Sequence, residues 1–271
     1  MNEIKITGFA DEIHPSLDAQ LEALREFGVS ALELRAADGV NVSDFTPQKL
    51  REVKEKLNAA GIAVSAIGSP IGKISIEEEF GGHMEKLKRT LEIQRELDAP
   101  YLRMFSFYIP QGQDPALFSG QVLERLGAMR QEAERWDAVL LHENEKGIFG
   151  DTAPRCLELM EALAGEHFQA VFDFANFVEV GQPTLEAFGL LRPYIRYIHI
   201  KDCTAGKKIV PAGQGEGHVE EILSQLFCSG WRGYLSLEPH LVDFAGLAAL
   251  ERDPAKREGN MDGKTAWALA L

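Results

Sequence analysis

Short apolar runs recur along the chain, and each is followed by a longer stretch with helical spacing. Residues 4–9, 30–35, 62–67, 101–105, 138–142, 169–173, 195–200 and 233–237 are rich in aliphatic, aromatic and β-branched residues and short enough to be strands. The first helix is expected from about residue 16, with Leu17, Leu21 and Leu24 on one face and Gly28 as its stop. Asp44 or Thr46 can cap the next, LREVKEKLNAAG, which Gly61 ends. Residues 75–97, rich in Glu and Lys, read as a long helix broken near Gly81-Gly82, and residues 115–136 as another. Further helices are expected after Asp151-Thr152, after Gln182 with Pro183 at the first helical position, and near His218. The tail from Asp243 has room for one helix or two, and SFYIPQGQDP is a loop of the length expected for a lid. Eight strand–helix alternations with no break in composition predict an α/β fold, one (β/α)8 barrel spanning residues 1–271 as a single domain.

Composition narrows the partners. The 271 residues carry 28 Lys and Arg against 42 Asp and Glu, a formal net charge of −14, which argues against a nucleic-acid partner. Cys156, Cys203 and Cys228 are odd in number and make no CxxC or CxxH pattern, so neither a disulfide framework nor a thiolate zinc site is expected. MNEIKITGFADEI lacks a cationic segment followed by an apolar one, and no stretch approaches ~18 uninterrupted apolar residues. The expectation is a cytoplasmic protein with no membrane partner.

Four of the predicted strands close on a side chain with coordination chemistry. AVLLHE ends in Glu143, AVFD in Asp173, YIRYIH in His199 and YLSLE in Glu238. Taken singly, a strand-end Asp is usually a helix cap and a buried His usually a hydrogen-bonded core residue. Four such groups at consecutive strand ends are a different matter, because barrel enzymes keep their sites on that face. Three carboxylates and one imidazole, without sulfur, suit one divalent ion, with Mn²⁺ the first expectation and Mg²⁺, Co²⁺ or Zn²⁺ as alternatives.

His142-Glu143-Asn144, Asp173-Phe174-Ala175-Asn176, His199-Ile200-Lys201-Asp202 and Leu237-Glu238-Pro239 resemble the strand-five to strand-eight motifs of the xylose-isomerase-like barrels. That superfamily includes sugar (phosphate) isomerases and epimerases, ketose 3-epimerases, inosose dehydratases and endonuclease IV. The resemblance covers nearly the whole chain, and it implies one metal held by Glu143, Asp173, His199 and Glu238. It further implies that Glu143 and Glu238 exchange protons with a sugar or sugar-like substrate, through an ene-diolate stabilised by the metal. Two positions depart from the pattern. Asn176 stands where His is common, and the loop IVPAGQGEG lacks the Asp and His that endonuclease IV places there. The resemblance therefore favours a metal-dependent sugar isomerase or epimerase. The alternatives are an inosose-dehydratase-like lyase and, further off, an endonuclease IV-like phosphodiesterase or a non-catalytic sugar-binding barrel. A homo-oligomer is compatible with this class, although no interface patch is legible.

Other residues near the strand ends are candidates for the substrate. Asn176, Lys201 and Asp202 can meet hydroxyls or a phosphate, with Asp202 alternatively a cap or a partner of Lys201. Arg103 reaches either the pocket or a rim ion pair, Glu145 is a candidate hydroxyl acceptor, and His240 follows LEP closely enough to line the site. Glu33 and Arg35 are expected to point inward as a structural pair, and His142 to face away from Glu143. Phe105, Phe107 and Tyr108 either stack on a sugar ring or cover the barrel mouth. His83 carries no argument of its own.

Overall fold

A computed structural model describes residues 4–244 and 261–271. Eight strands make up its main sheet: β1 (Lys5–Gly8), β2 (Ala31–Leu34), β3 (Ala63–Gly68), β4 (Tyr101–Met104), β5 (Val139–Glu143), β6 (Phe168–Asp173), β7 (Ile195–Ile200) and β8 (Tyr234–Leu237). Their order is β1-β8-β7-β6-β5-β4-β3-β2, every pairing is parallel, and β1 comes back against β2. This is the expected TIM barrel. The helices between strands are α1 (Leu17–Glu26), α2 (Pro47–Ala60), α3 (Gly81–Glu96), α4 (Ser119–Arg135), α5 (Ala153–Leu163), α6 (Phe174–Glu179), α7 (Thr184–Leu191) and α8 (Val219–Cys228), with α9 (Gly263–Ala268) after β8. Among the described residues no helix is long and apolar enough to cross a membrane.

The strand alternation divides the core into two layers. Leu32, Leu34, Leu102, Leu140, Phe172 and Ile198 point outward and join the helix residues Leu24, Val53, Leu91, Met129, Leu159 and Ile222 in one large cluster. Tyr101, Leu141, Val171, Tyr197 and Tyr234 point inward and fill the barrel. Inward positions closer to the carboxyl ends are polar: Glu33, Glu143, Asp173, His199 and Ser236 are all buried. The period of two that makes the strands thus also sends these groups to one place.

The local signals work where they are chemically complete. Thr46 Oγ1 accepts from Lys49 N–H at 3.1 Å, and Gly61 ends α2 in the left-handed region at φ +68°. Three readings are corrected. Residues 75–80 are not helical, because Glu79 accepts from the Gly81 and Gly82 amides and starts α3 there, so the two glycines open the helix instead of breaking it. Pro183 is the residue before α7, whose first residue is Thr184. The first part of the segment read as a lid is tied down: Tyr108 N–H donates to Ile74 O at 2.8 Å, Ile76 N–H donates to Tyr108 O at 3.0 Å, and Phe107 is fully buried, whereas residues 111–114 are exposed. α6 was not expected, nor were the two-residue hairpins Ala36–Ala37 with Val40–Asn41 and Asp202–Cys203 with Ile209–Val210. Of the expected tail helices, α9 is present, and residues 245–260 lie outside the described part.

Two close approaches position the strand ends. Trp267 of α9 donates from Nε1 to Phe9 O at 3.3 Å, and its ring lies 2.5 Å from where a Cβ on Gly8 would sit. Gly72, at φ +89°, passes so near Phe105 that a Cβ would meet Phe105 O at 2.0 Å. Its N–H donates to His83 Nε2 at 2.8 Å, so His83 serves as an acceptor in its neutral form. Burial, with Lys86 nearby, pushes His83 down to about 4 from 6.5. A depressed value gives stability that is complete above 6.5 and is lost as pH falls towards 4. Melting temperatures measured from pH 7 to pH 4 should fall more steeply for the parent than for His83→Gln; parallel curves would refute this account of His83.

Candidate active site

Glu143 and Asp173 are the last residues of β5 and β6, His199 is next to last in β7, and Glu238 lies one residue past β8. Parallel register sets Asp173 beside His199 and His199 beside Ser236. His199 Nδ1 lies 3.0 Å from Glu143 Oε1, 3.2 Å from Glu238 Oε2 and 3.9 Å from Asp173 Oδ2. One ligand atom from each of the four falls within 4.8 Å of the others, and all four residues are buried. The opposite ring nitrogen, Nε2, lies 3.2 Å from Glu33 Oε2, which accepts from Ser236 Oγ at 2.5 Å. A carboxylate behind a ligating imidazole fixes its orientation and raises its basicity.

Cations surround this group. Lys201 Nζ stands 3.1 Å from Asp173 Oδ2 and 3.5 Å from Glu238 Oε2, and Arg103 Nη1 donates to Glu143 Oε2 at 2.8 Å. Arg35 binds Asp11 through two nitrogens and reaches Glu12 and Glu238 at 3.3 Å. Burial alone would raise Glu143 and Glu238. His199 and Arg103 reverse that for Glu143, and Lys201 and His240 for Glu238, so both fall below the usual carboxylate range. Asp173 goes the other way: burial, then Glu238 and Glu143, raise it to about 7 against the pull of Lys201. His199, which burial would lower, is raised by Glu143 and Glu33.

The donor set fits a divalent ion on two counts. Three carboxylates and one imidazole offer ligands without sulfur. Asp173 Oδ2 and Glu238 Oε2, both buried, accept no hydrogen bond, although Lys201 Nζ stands 3.1 and 3.5 Å from them and His199 Nδ1 stands 3.2 Å from Glu238 Oε2. A second trio, Glu12, Glu238 and His240, also comes together, but Arg35 already faces its Glu12 and Glu238 oxygens.

The remaining predicted residues divide into two sets. Arg103, Glu145, Asn176, Lys201 and His240 line one cavity above the quartet, together with Arg35, Lys73, Lys146 and Glu179. Asn176 donates to Asn144 O at 2.9 Å and to Glu143 Oε1 at 3.4 Å, so it also steadies a candidate ligand. Asp202 does not join them. Its carboxylate accepts the N–H groups of Cys203, Gly213, Gly215 and Gly217 at 2.9–3.0 Å, which makes it the organiser of the 211–217 loop and corrects its expected substrate contact. Glu33 and Arg35 are not paired with each other; Glu33 faces His199, and Arg35 spans β1 and β8. His142 faces away as expected, with Nε2 2.9 Å from Ser106 Oγ. Asn144 was missed, although it sits in the same motif. Its amide both accepts from Asp173 N–H and donates to Asp173 O, clamping β6 to the end of β5.

A barrel with such a cluster at the carboxyl ends of its strands belongs to a recognisable class. Residues 21–259 match the family described as xylose isomerase-like TIM barrel, and the chain belongs to that family. Among curated proteins, the uncharacterised YihM of Escherichia coli (strain K12) is 31% identical over 72 residues, a match covering 24% of this chain and 22% of YihM. Solved structures are alike over most of their length. The IolI protein with a bound zinc atom has a TM-score of 0.76 at 16% identity, covering 98% of this chain and 95% of that one. The probable 3-DHS dehydratase AsbF of Bacillus anthracis has 0.70 at 20%, covering 88% and 92%. The 3-keto-D-glucoside 4-epimerase YcjR of E. coli has 0.68 at 15%, covering 99% and 97%.

Lys201 gives the site a test that needs no substrate. Lys201→Met leaves Asp173 and Glu238 short of a countercharge, a change worth about 3–5 kcal/mol in a buried group and roughly 10 °C in a chain of this size. The metal-free variant should melt lower by about that much, and saturating Mn²⁺ should raise its melting temperature more than the parent's. An equal rise in both proteins would separate Lys201 from the quartet.

Proposed function

We propose that this protein is a divalent-metal-dependent isomerase or epimerase that moves a proton at the carbon beside the carbonyl of a sugar or sugar-like polyol. The observation that carries the reading is the convergence of Glu143, Asp173, His199 and Glu238 with two buried carboxylate oxygens left without hydrogen bonds. These four residues would hold the ion. When bound, the ion would polarise the carbonyl and stabilise the negative charge that develops on its oxygen.

Glu143 and Glu238 are the proton-transfer groups in this reading. Both are held in the carboxylate form that a general base needs, and the cations that lower them also weaken them as bases. They come from β5 and β8, with β6 and β7 between them, which suits approach from two sides of a substrate. Arg103 and Asn176 hold Glu143; Arg35 and His240 hold Glu238. A dehydratase is the second reading, because it begins with the same proton removal. His240 favours it: it lines the cavity with Nε2 3.3 Å from Glu12 Oε1 and 3.2 Å from Glu238 Oε1, and those carboxylates hold it in the protonated form that a departing hydroxyl needs. The phosphodiesterase reading finds no support in the 211–217 loop, whose glycine amides are taken by Asp202.

Elemental analysis should find about one divalent ion per chain, with Asp173→Ala and His199→Ala lowering metal affinity sharply while the fold persists. About three ions per chain would revive the endonuclease alternative, and parent-like metal binding by both variants would place the site elsewhere.

Glu238→Gln separates ligation from proton transfer, since an amide oxygen can still ligate. The variant should keep its metal and lose about 10²–10⁴-fold in rate. In deuterated water the parent should place solvent deuterium on the carbon beside the carbonyl, and Glu238→Gln should do so far more slowly. Turnover with the substrate hydrogen fully retained would replace the proton shuttle with direct hydride transfer.

A further inference from the structure

Beneath the quartet the barrel buries a polar belt drawn from five strands. Thr7 on β1, Glu33 on β2, Ser65 on β3, Tyr197 and His199 on β7 and Ser236 on β8 are all fully buried. Ser65 Oγ lies 2.7 Å from Thr7 Oγ1 and 2.9 Å from the Tyr197 hydroxyl, and Ser236 Oγ donates to Glu33 Oε2 at 2.5 Å. Apolar side chains would fill this space at less cost, because every buried polar group needs a partner. Glu33 is the costliest member. Among the described residues it makes no ion pair with Lys or Arg, and the one group of potential positive charge against it is the His199 imidazole, with Nε2 3.2 Å from Glu33 Oε2. A carboxylate buried on those terms calls for a reason.

His199 supplies one. The rings of Phe9 and Tyr197 stand edge-on to its imidazole, with centres 5.3 and 5.8 Å away and planes at 80° and 79°. Nδ1 faces Glu143 at 3.0 Å and Glu238 at 3.2 Å, so it is the nitrogen turned towards the quartet, and Nε2 is turned towards Glu33. Nε2 and Glu33 Oε1 are both buried and make no hydrogen bond, which leaves the ring and the carboxylate facing each other with bonding capacity in reserve. An ion that takes the Nδ1 lone pair leaves the ring's proton on Nε2, where Glu33 stands to accept from it.

We infer that Glu33 is a positioning residue for the metal centre: through Nε2 it presents Nδ1 of His199 to the ion, and Ser236 aims Glu33 in turn. The inference rests on the quartet being the metal site, as the proposed function takes it, and adds a residue outside the quartet. A carboxylate partner fixes an imidazole's orientation and makes it the stronger ligand, so metal affinity is the property that Glu33 controls.

Calorimetric titration of the metal-free protein with Mn²⁺ tests this on the parent, Glu33→Gln, His199→Ala and the double variant. Glu33→Gln keeps the side chain's shape and an acceptor for Ser236 but removes the charge, and it should bind Mn²⁺ about 10–100-fold more weakly than the parent. In the His199→Ala background the same change should cost little, since the group it acts through is gone. The visible absorption of the Co²⁺-loaded protein should also differ between the parent and Glu33→Gln, a change that a role confined to packing would not produce. Parent-like affinity or an unchanged Co²⁺ spectrum in Glu33→Gln would overturn the inference. So would an equal loss with and without His199, which would leave Glu33 acting on the ion by its charge alone. If Glu33→Gln does not fold, Ser236→Ala takes its place: a weaker affinity supports the inference and a parent-like one overturns it. Parent-like binding by His199→Ala would instead refute the quartet as the metal site, so the two failures are told apart.

Discussion

Burying carboxylates side by side is the constraint on which the rest of this barrel depends. Asp11, Glu12, Glu33, Glu143, Asp173 and Glu238 are all nearly inaccessible to water. An uncompensated buried charge costs several kcal/mol, against about 1 kcal/mol for a typical hydrogen bond, so charge pairing decides how these side chains lie. Countercharge arrives from four places: Arg35 after β2, Arg103 on β4, His199 and Lys201 on and after β7, and His240 beyond β8. Each is shared among several carboxylates, so no single pair describes the site. Burial and the neighbouring Glu238 and Glu143 raise Asp173 to about 7 despite Lys201 beside it.

The scaffold serves that constraint through strand periodicity. Tyr197, His199 and Lys201 point inward from one strand, and Tyr234, Ser236 and Glu238 from its neighbour, so aromatic fill, hydrogen-bonding and charged layers stack towards the carboxyl ends. The outward positions meanwhile pack against helices and are apolar. One alternation therefore supplies both stability and a polar mouth, in keeping with the preference of barrel enzymes for sites on that face.

The same periodicity explains what the sequence made legible. The eight strands, the barrel and the convergence of Glu143, Asp173, His199 and Glu238 follow from runs a few residues long, each carrying its own signal. The contacts that were misread join segments far apart in the chain. Glu33 and Arg35 share an inward face, which suggested a pair, yet Glu33 meets His199, 166 positions later, and Arg35 meets Glu238, 203 positions later. Their partners depend on where neighbouring strands stop, which no local pattern records. Asp202 was ambiguous because its four donors are backbone amides of a loop, invisible as side-chain types. The loop read over residues 106–115 holds for PQGQDP, but Phe107 and Tyr108 before it are anchored by residues 72–76, again by backbone contacts no side-chain type records.

The seal at Gly8 has a consequence for how the molecule is made. β1 precedes β8 in synthesis by more than two hundred residues, yet its strand partner is β8 and the ring packed on its glycine is Trp267. Glu12, likewise early, accepts the His240 amide at 2.9 Å. A growing chain can set β1 against β2 early, but its pairing with β8 and the packing of Trp267 on Gly8 need residues 234–267. Until then β1 has an unpaired edge and the charges near it lack their late partners. Closure of the barrel and completion of its charged mouth both draw on residues from the last strand onward.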